Sequence, residues 1–208
     1  MNRREHSKGK DSRKCGSSTR NNVKILEGKK MMAVELHPEK YDFREYKEFH
    51  VNSIRFDQAV RNICTQNACG QYGKNHMCPP AIKDIREWEK EILSYKNAMI
   101  VTKVYQTKNK FDMKSMFEGI ADFQKTLIRL KEDLADEFPD KRVLLLGAGS
   151  CFICKKCTYA DGEPCRFPEK AFPSIEACGV DVMSLSKSAG VRYNNGENTV
   201  TYIGVVLY

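Results

Sequence analysis

The stretch AMIVTKVYQ at residues 98–106 begins the part of the chain that decides the fold. Its β-branched and aromatic residues predict a strand. Asp112 can cap a long helix over residues 113–138, where apolar residues recur at helical spacing, and Pro139 ends that helix. The next stretch, RVLLLGAG at residues 142–149, is a short apolar run typical of a strand inside a sheet. These three elements predict a small sheet with helices packed on it.

Shorter elements are predicted on both sides of this unit. Helical spacing of apolar residues predicts helices over residues 56–63 and 80–95, and alternation predicts a last strand over residues 199–208. Two further short helices are predicted from two capping residues and two terminating glycines: Ser174, Asp181, Gly179 and Gly190. The order of elements favours an α/β fold with the strands at 98–106 and 142–149 in one right-handed crossover unit. An α+β sandwich of ferredoxin-like topology is the alternative, because the sequence does not fix the strand order.

The length of 208 residues and the hydrophobic content of 41% suit one folded domain with a tail. Residues 1–30 hold ten Lys and Arg against three Asp and Glu, whereas the rest of the chain holds 25 against 24, so the net charge divides into +7 and +1. We therefore expect a basic, disordered tail at residues 1–30 and a single cysteine-rich domain at residues 31–208. A nucleic-acid partner is not expected, because the domain lacks the basic excess of such a binding surface.

The expected location of the protein decides how its cysteines are interpreted. No apolar run approaches the roughly 18 residues of a membrane helix, and the charged N-terminus lacks the apolar core of a signal peptide. We therefore expect a cytoplasmic protein with no membrane segment. In that setting an odd number of cysteines argues against a disulfide scaffold and indicates metal or redox chemistry. One of the nine cysteines lies alone in the tail and eight lie in the domain: Cys15, then Cys64, Cys69, Cys78, Cys151, Cys154, Cys157, Cys165 and Cys178.

The strongest motif is GSCFICKKCTYADGEPCRFP at residues 149–168, with the spacing C-x2-C-x2-C-x7-C. Cys151, Cys154 and Cys157 can present three thiolates to three irons of a cubane, and Cys165 can return as the fourth ligand after a Gly-Glu-Pro turn. The close triplet resembles the run in bacterial ferredoxins and favours a [4Fe-4S] cluster. Tetrahedral zinc is the alternative, although it usually takes its thiolates from separated C-x2-C pairs. Four free thiols without a metal are the third interpretation.

A second group, Cys64, Cys69 and Cys78, has the spacing C-x4-C-x8-C in a loop rich in Gly, Asn and Pro. It could hold a second cluster with a fourth ligand from elsewhere, and a structural zinc or buried thiols are the alternatives. Three residues are candidates for additional ligands: Cys165, Cys178 and His76. A loop histidine is more often solvated, and a small buried apolar role explains Cys178 equally well.

The two cysteine loops together resemble a known family. The pattern CG-x-Y-G-x4-CPP at residues 69–80, followed by the C-x2-C-x2-C-x7-CR-x-P segment and then GVDV at residues 179–182, is similar to bacterial and archaeal predicted metal-binding proteins. That family is catalogued as domain of unknown function 2284, and the likeness covers roughly residues 50–208. It implies a cytoplasmic setting, often in anaerobes, and metal binding by seven cysteines: Cys64, Cys69, Cys78, Cys151, Cys154, Cys157 and Cys165. It implies no reaction, and Cys15 matches no part of its pattern.

These observations leave two main classes of function. The first is an iron–sulfur protein that stores or transfers electrons, with a larger oxidoreductase or another electron donor or acceptor as its partner. The second is a zinc-stabilised interaction module without a redox role. An enzyme that uses a cluster as a Lewis acid is a weaker third class, and neither a dinucleotide nor a phosphate-binding motif is present. In any of these classes we expect the two cysteine groups to form one functional region, with Cys78 within about 15 Å of the Cys151–Cys165 loop.

Overall fold

The computed structural model describes residues 38–208. The predicted tail at residues 1–30 therefore lies outside the described residues. Within residues 38–208 the regular elements are, in chain order, β1 (Glu45–Phe49), α1 (Gln58–Ile63), α2 (Ile85–Ile92), β2 (Ala98–Gln106), α3 (Met113–Glu137), β3 (Leu144–Leu146), α4 (Val182–Ala189) and β4 (Thr199–Leu207). Five short 3-10 helices accompany them in the same part of the chain. No helix among these residues is both long and apolar enough to cross a membrane.

The four strands form one sheet in the order β1-β2-β4-β3, and every neighbouring pair is antiparallel. The fold is therefore α+β, the alternative considered above. Strands β2 and β3 run in the same direction, because both are antiparallel to β4, but β4 lies between them. The connection from β2 through α3 to β3 therefore passes over the intervening strand β4. The nine-residue β4 pairs along the whole of β2, from Ala98 opposite Leu207 to Gln106 opposite Thr199, whereas β3 offers a ladder of three residues.

Helices cover both faces of the sheet. Helix α3 buries its apolar stripe on one face, where Leu127 packs over Gly204. A Cβ atom at position 204 would lie 3.1 Å from a Leu127 methyl group, so glycine permits this close approach. The other face carries a second apolar layer from α2, α4 and the chain before α4: Trp88, Ile92, Leu185, Ile175, Cys178 and Val180. Two buried layers on one sheet make a rigid base for the loops that leave it.

All four α-helices of the described residues begin at aspartate caps, two of which were predicted from the sequence. Asp112 accepts a hydrogen bond from the Ser115 backbone N–H at the start of α3, and Asp181 accepts from those of Met183 and Ser184 at the start of α4. Helix α2 is shorter than predicted because Asp84 and Glu87 form a capping box that begins it at Ile85. The chain from Pro80 to that cap turns instead of extending the helix.

The remaining differences from prediction lie at the sheet edges. Strand β3 ends at Leu146 because Gly147 turns to the segment before α4, where its N–H donates to Pro173 O and its carbonyl accepts from Ile175 N–H. Strand β1 was not predicted, since EYKEF is a mainly polar and exposed stretch with little apolar pattern. Among the described strands it pairs with β2 alone, so it forms one edge of the sheet.

Candidate metal centre

The loop that carries the C-x2-C-x2-C triplet starts where β3 ends. The first residue of the loop, Gly147, is held against Pro173 and Ile175 by the two backbone hydrogen bonds given above. Gly149 has a left-handed backbone with φ of +68°, and a Cβ atom there would lie 2.3 Å from the terminal methyl of Ile120 on α3. Both the conformation and the contact favour glycine. The loop is therefore drawn tightly over α3 before it reaches Cys151.

A buried glutamine of α3 holds the next residues of this loop. The Gln124 side chain is 5% exposed, and its Nε2 donates to the carbonyl oxygens of Ala148 and Ser150 at 2.9 and 2.6 Å. Its Oε1 accepts from the Phe152 backbone N–H at 3.3 Å. One amide thus satisfies three backbone groups on both sides of Cys151. This arrangement fixes the peptide backbone at the first cysteine of the motif.

The four cysteines of this loop line a single pocket with about 330 Å³ of space, including its open mouth. All four thiols are half-buried. The pocket wall also includes apolar side chains and three consecutive residues from the first cysteine loop: Asn75, His76 and Met77. The motif with the most specific spacing in the sequence therefore surrounds one cavity, which the other cysteine loop helps to close.

Direct hydrogen bonds join the two cysteine loops. Asn75, which is 2% exposed, donates from Nδ2 to the Cys151 carbonyl oxygen at 3.0 Å. His76 Nε2 lies 2.9 Å from the Glu163 carbonyl oxygen, between the third and fourth cysteines of the motif. The loops predicted to form one region thus lie in contact. Cys78 follows His76 by two residues and is buried.

The surroundings of Cys78 and Cys151 disfavour the thiolate form of both side chains. Burial, with a smaller contribution from the neighbouring thiols of Cys69, Cys64, Cys151 and Cys157, raises the pKa of Cys78 to about 12. Burial likewise raises the pKa of Cys151, together with the thiols of Cys165, Cys154 and Cys157, although the Ile153 backbone N–H donates to the Cys151 sulfur and opposes this rise. Thiolates that repel one another in this way would be stabilised by a metal cation bound between them.

Cys64 extends this environment beyond the pocket. Burial raises the pKa of its thiol, and Cys69 and the Glu176 carboxylate add to the rise, whereas Arg61 opposes it. The Arg61 guanidinium also donates to the Ala177 carbonyl oxygen at 2.5 Å, which holds α1 against the segment that contains Glu176. Cys64 is half-buried and Cys69 is exposed. The first group thus ranges from an exposed to a buried cysteine, whereas all four cysteines of the second group are half-buried.

The donor set fits a thiolate-bound metal in its chemistry. Four cysteines around one cavity match the ligands of iron–sulfur clusters and structural zinc, and a backbone N–H already points at the Cys151 sulfur. The four thiols stand too far apart to coordinate one ion, since within residues 38–208 no three His, Cys, Asp or Glu side chains form a group that could hold a metal ion. Binding therefore requires the four thiols to close on the pocket that they line.

The structure separates the remaining candidates. Cys178 is fully buried within the apolar layer of α2 and α4, where it packs as a small apolar residue. His76 lies in the pocket wall, where its ring makes a T-shaped contact with Tyr159 and its Nε2 lies within hydrogen-bond distance of the Glu163 carbonyl oxygen. Cys15 lies outside the described residues. Cys178 is thus accounted for by packing alone.

Two site residues were missed in the sequence. Gln124 is a polar residue inside the apolar stripe of α3, between the buried Phe123 and Leu127, and that position was a signal of a buried hydrogen-bonding role. Asn75 was counted as one of several loop-forming residues, and its spacing carries no signal that distinguishes it from them. The roles of both depend on contacts between segments far apart in the chain.

Four cysteines around one pocket, on loops held by buried amides, form a candidate ligand set for a cysteine-based metal site. The chain belongs to the family of predicted metal-binding proteins (DUF2284), whose model matches residues 47–208. This is the family that the two cysteine patterns resembled. Comparisons with curated proteins and with solved structures found no match.

Proposed function

We propose that this protein binds a [4Fe-4S] cluster on Cys151, Cys154, Cys157 and Cys165 and transfers single electrons in the cytoplasm. The observation that carries the proposal is the pocket that all four cysteines of the C-x2-C-x2-C-x7-C motif line together. Cysteine thiolates are the usual ligands of such clusters, and a close triplet with a later fourth cysteine is a known ligand pattern. Zinc sites more often use two separated pairs.

The surrounding residues are suited to hold the ligands and to adjust a redox potential. The Ile153 N–H that donates to the Cys151 sulfur supports the thiolate form and would make reduction of a bound centre easier. Ile153 and Phe167 give the pocket an apolar wall, which restricts water near the thiols. A bound cluster of this type accepts and releases one electron at a time. The chain's own contribution is therefore ligation, hydrogen bonding and partial exclusion of water.

A second centre on Cys64, Cys69 and Cys78 is the extension of this proposal. The support is electrostatic and spatial: the Cys78 thiol interacts with Cys64 and Cys69 of its own group and with Cys151 and Cys157 of the other. A metal bound by the first group would thus lie beside the second, where exchange of electrons between two centres is feasible.

The surface beside the pocket suits an electron donor or acceptor such as a larger oxidoreductase. Phe152 and Phe167 are large apolar side chains with exposed fractions of 45% and 38%, and both belong to the cysteine loop. Exposed aromatic residues at a redox site offer a contact area for a transient partner, because apolar side chains gain from burial in an interface.

Metal analysis of protein purified without oxygen tests the proposal. We expect iron and acid-labile sulfide in equal amounts, a broad visible absorbance that dithionite bleaches, and an electron paramagnetic resonance signal in the reduced state. Cys154→Ser should remove the cluster of the Cys151–Cys165 loop, whereas Cys15→Ser, a matched change outside the motif, should not. Stoichiometric zinc without sulfide would support the zinc-stabilised interaction module and contradict the redox function.

A further inference from the structure

The peptide group between Cys151 and Phe152 is held at both ends by amide side chains from two different parts of the fold. Its carbonyl oxygen accepts from Asn75 Nδ2 at 3.0 Å, and its N–H donates to Gln124 Oε1 at 3.3 Å. Gln124 belongs to helix α3, whereas Asn75 belongs to the loop of the other cysteine group. The position of the first ligand of one group therefore depends on a residue of the other group.

Asn75 also fixes the backbone of its own loop. Its Oδ1 accepts from the Met77 N–H at 2.8 Å, and its carbonyl oxygen accepts from the Cys78 N–H at 3.1 Å. With an exposed fraction of 2%, its side chain has little access to water that could replace these bonds. A single buried residue thus connects the backbone at Cys78 to the backbone at Cys151.

We propose that Asn75 is a positioning residue through which the loop at residues 64–78 controls the metal affinity of the Cys151–Cys165 site. This inference rests on the proposed metal binding and adds a coupling between the two cysteine groups. Residues that hydrogen-bond to ligand residues typically change metal affinity by about 10–100-fold when they are replaced. Coupling between two sites is reciprocal, so metal on the Cys151–Cys165 loop should also stabilise the backbone near Cys78.

The second tie between the loops is weaker. His76 contacts the Glu163 carbonyl oxygen at the exposed side of the pocket, where water can substitute for the bond. It also reaches a part of the loop between ligands, not the backbone of a ligand itself. The Asn75 bond is the buried one and ends on Cys151, so it carries most of the coupling.

An isosteric change separates the two roles of the Asn75 side chain. In Asn75→Asp the carboxylate can still accept from Met77 N–H but cannot donate to the Cys151 carbonyl oxygen. A matched control is Asn195→Asp, because the Asn195 side chain donates to Arg192 O and Thr201 Oγ1. A third variant, Gln124→Glu, keeps the acceptor for Phe152 N–H and loses the donors to Ala148 and Ser150.

The experiment uses the full chain, reconstituted without oxygen from ferrous iron and sulfide. Two quantities are measured: the rate at which a chelator removes iron, and the hydrogen exchange of the Met77 and Cys78 amides with and without the metal. In wild type we expect reconstitution to slow exchange at both amides at least about tenfold, since the loaded Cys151 loop holds Asn75 in place. Because metal bound at Cys64, Cys69 and Cys78 would also slow exchange at Cys78, the measurement is repeated in Cys69→Ser, where an exposed thiol of that group is removed. Slowing that persists in Cys69→Ser reports the coupling, and it does so without any change at Asn75.

Asn75→Asp should release iron about 10–100-fold faster and lose the metal-dependent slowing at Cys78. Gln124→Glu should release iron faster but keep that slowing, because its bonds do not reach the first loop. Asn195→Asp should behave as wild type. Two results would overturn the inference and leave the proposed function intact. The first is an equal rate of iron release from wild type and Asn75→Asp, and the second is a rate of hydrogen exchange at the wild-type Cys78 amide that is the same with and without the metal. Failure of wild type to take up iron and sulfide overturns both.

Discussion

Gly147→Ala tests how the cysteine loop is anchored to the sheet. A Cβ atom at this position would lie 2.4 and 2.9 Å from two ring carbons of Phe172 and 3.2 Å from a Leu127 methyl group. Phe172 is 7% exposed and Leu127 is fully buried, so neither can move aside into solvent. The Gly147 N–H and carbonyl hold the loop start to Pro173 and Ile175, so a shift here also displaces the chain that leads to Cys151.

The size of the effect follows from two opposing terms. Overpacking of a buried site typically costs about 1–3 kcal/mol. Replacement of glycine by alanine recovers about 0.4–1 kcal/mol by restricting the unfolded chain. We therefore expect Gly147→Ala to lower the free energy of unfolding by about 1–2 kcal/mol and the melting temperature by about 2–8 °C. Urea titration followed by circular dichroism measures the former and a thermal scan the latter.

A second substitution identifies the cause. Phe172→Leu removes the ring atoms that the new methyl group would meet, so the double variant should be more stable than the sum of the two single changes by about 0.5–3 kcal/mol. Gly162→Ala is the control, because its φ of +73° makes alanine strained while no atom lies within 4 Å of the added Cβ. Phe172→Leu should not improve that variant. Additive effects of Gly147→Ala and Phe172→Leu would refute the steric reasoning.

Three further predictions concern the thiols and the tail. Cys154→Ser should remove metal from the pocket and lower the melting temperature of reconstituted protein, because metal binding stabilises only the folded state; equal melting of the two proteins, with metal lost, would show that the site does not stabilise the fold. Burial and the neighbouring thiols together raise the pKa of Cys78 from its usual 9.0 to about 12, so metal-free protein should lose stability as the pH rises above about 9, and Cys78→Ala should reduce that loss in urea titrations at pH 8 and 10. A pH dependence that Cys78→Ala leaves unchanged would contradict the burial of this thiol. Deletion of residues 1–30 should alter neither metal content nor melting temperature, as its composition predicts, and a change in either would assign the tail a structural role.

The features predicted correctly from the sequence are those fixed by neighbouring residues. Helix α3 follows from Asp112, an apolar period and Pro139, all within one segment, and the structure places it at Met113–Glu137. The left-handed glycines at 179 and 190 follow from local helix termination in the same way. The composition of β4 likewise predicted its bounds to within a residue. These elements needed no knowledge of the rest of the chain.

The features that the sequence did not predict depend on distant partners. Strand β4 lies between β2 and β3 because it pairs with both, and no local pattern in the sequence identifies those two partners. Strand β1 forms by pairing with the backbone of β2, although its own residues are mostly polar. Asn75 became a residue of the site only because its loop meets Cys151, 76 positions further along the chain. The cysteine spacing held no information on the amide side chains of Asn75 and Gln124 that hold the backbone at Cys151.

The central place of β4 sets an order of events during synthesis. The ribosome makes residues 199–207 after both cysteine loops, yet β3 pairs with no described strand other than β4. The nascent chain therefore exposes its thiols before the sheet that anchors them can close. We expect this interval to be the time at which the protein is most vulnerable to oxidants, and delivery of metal to be most productive once β4 has left the exit tunnel.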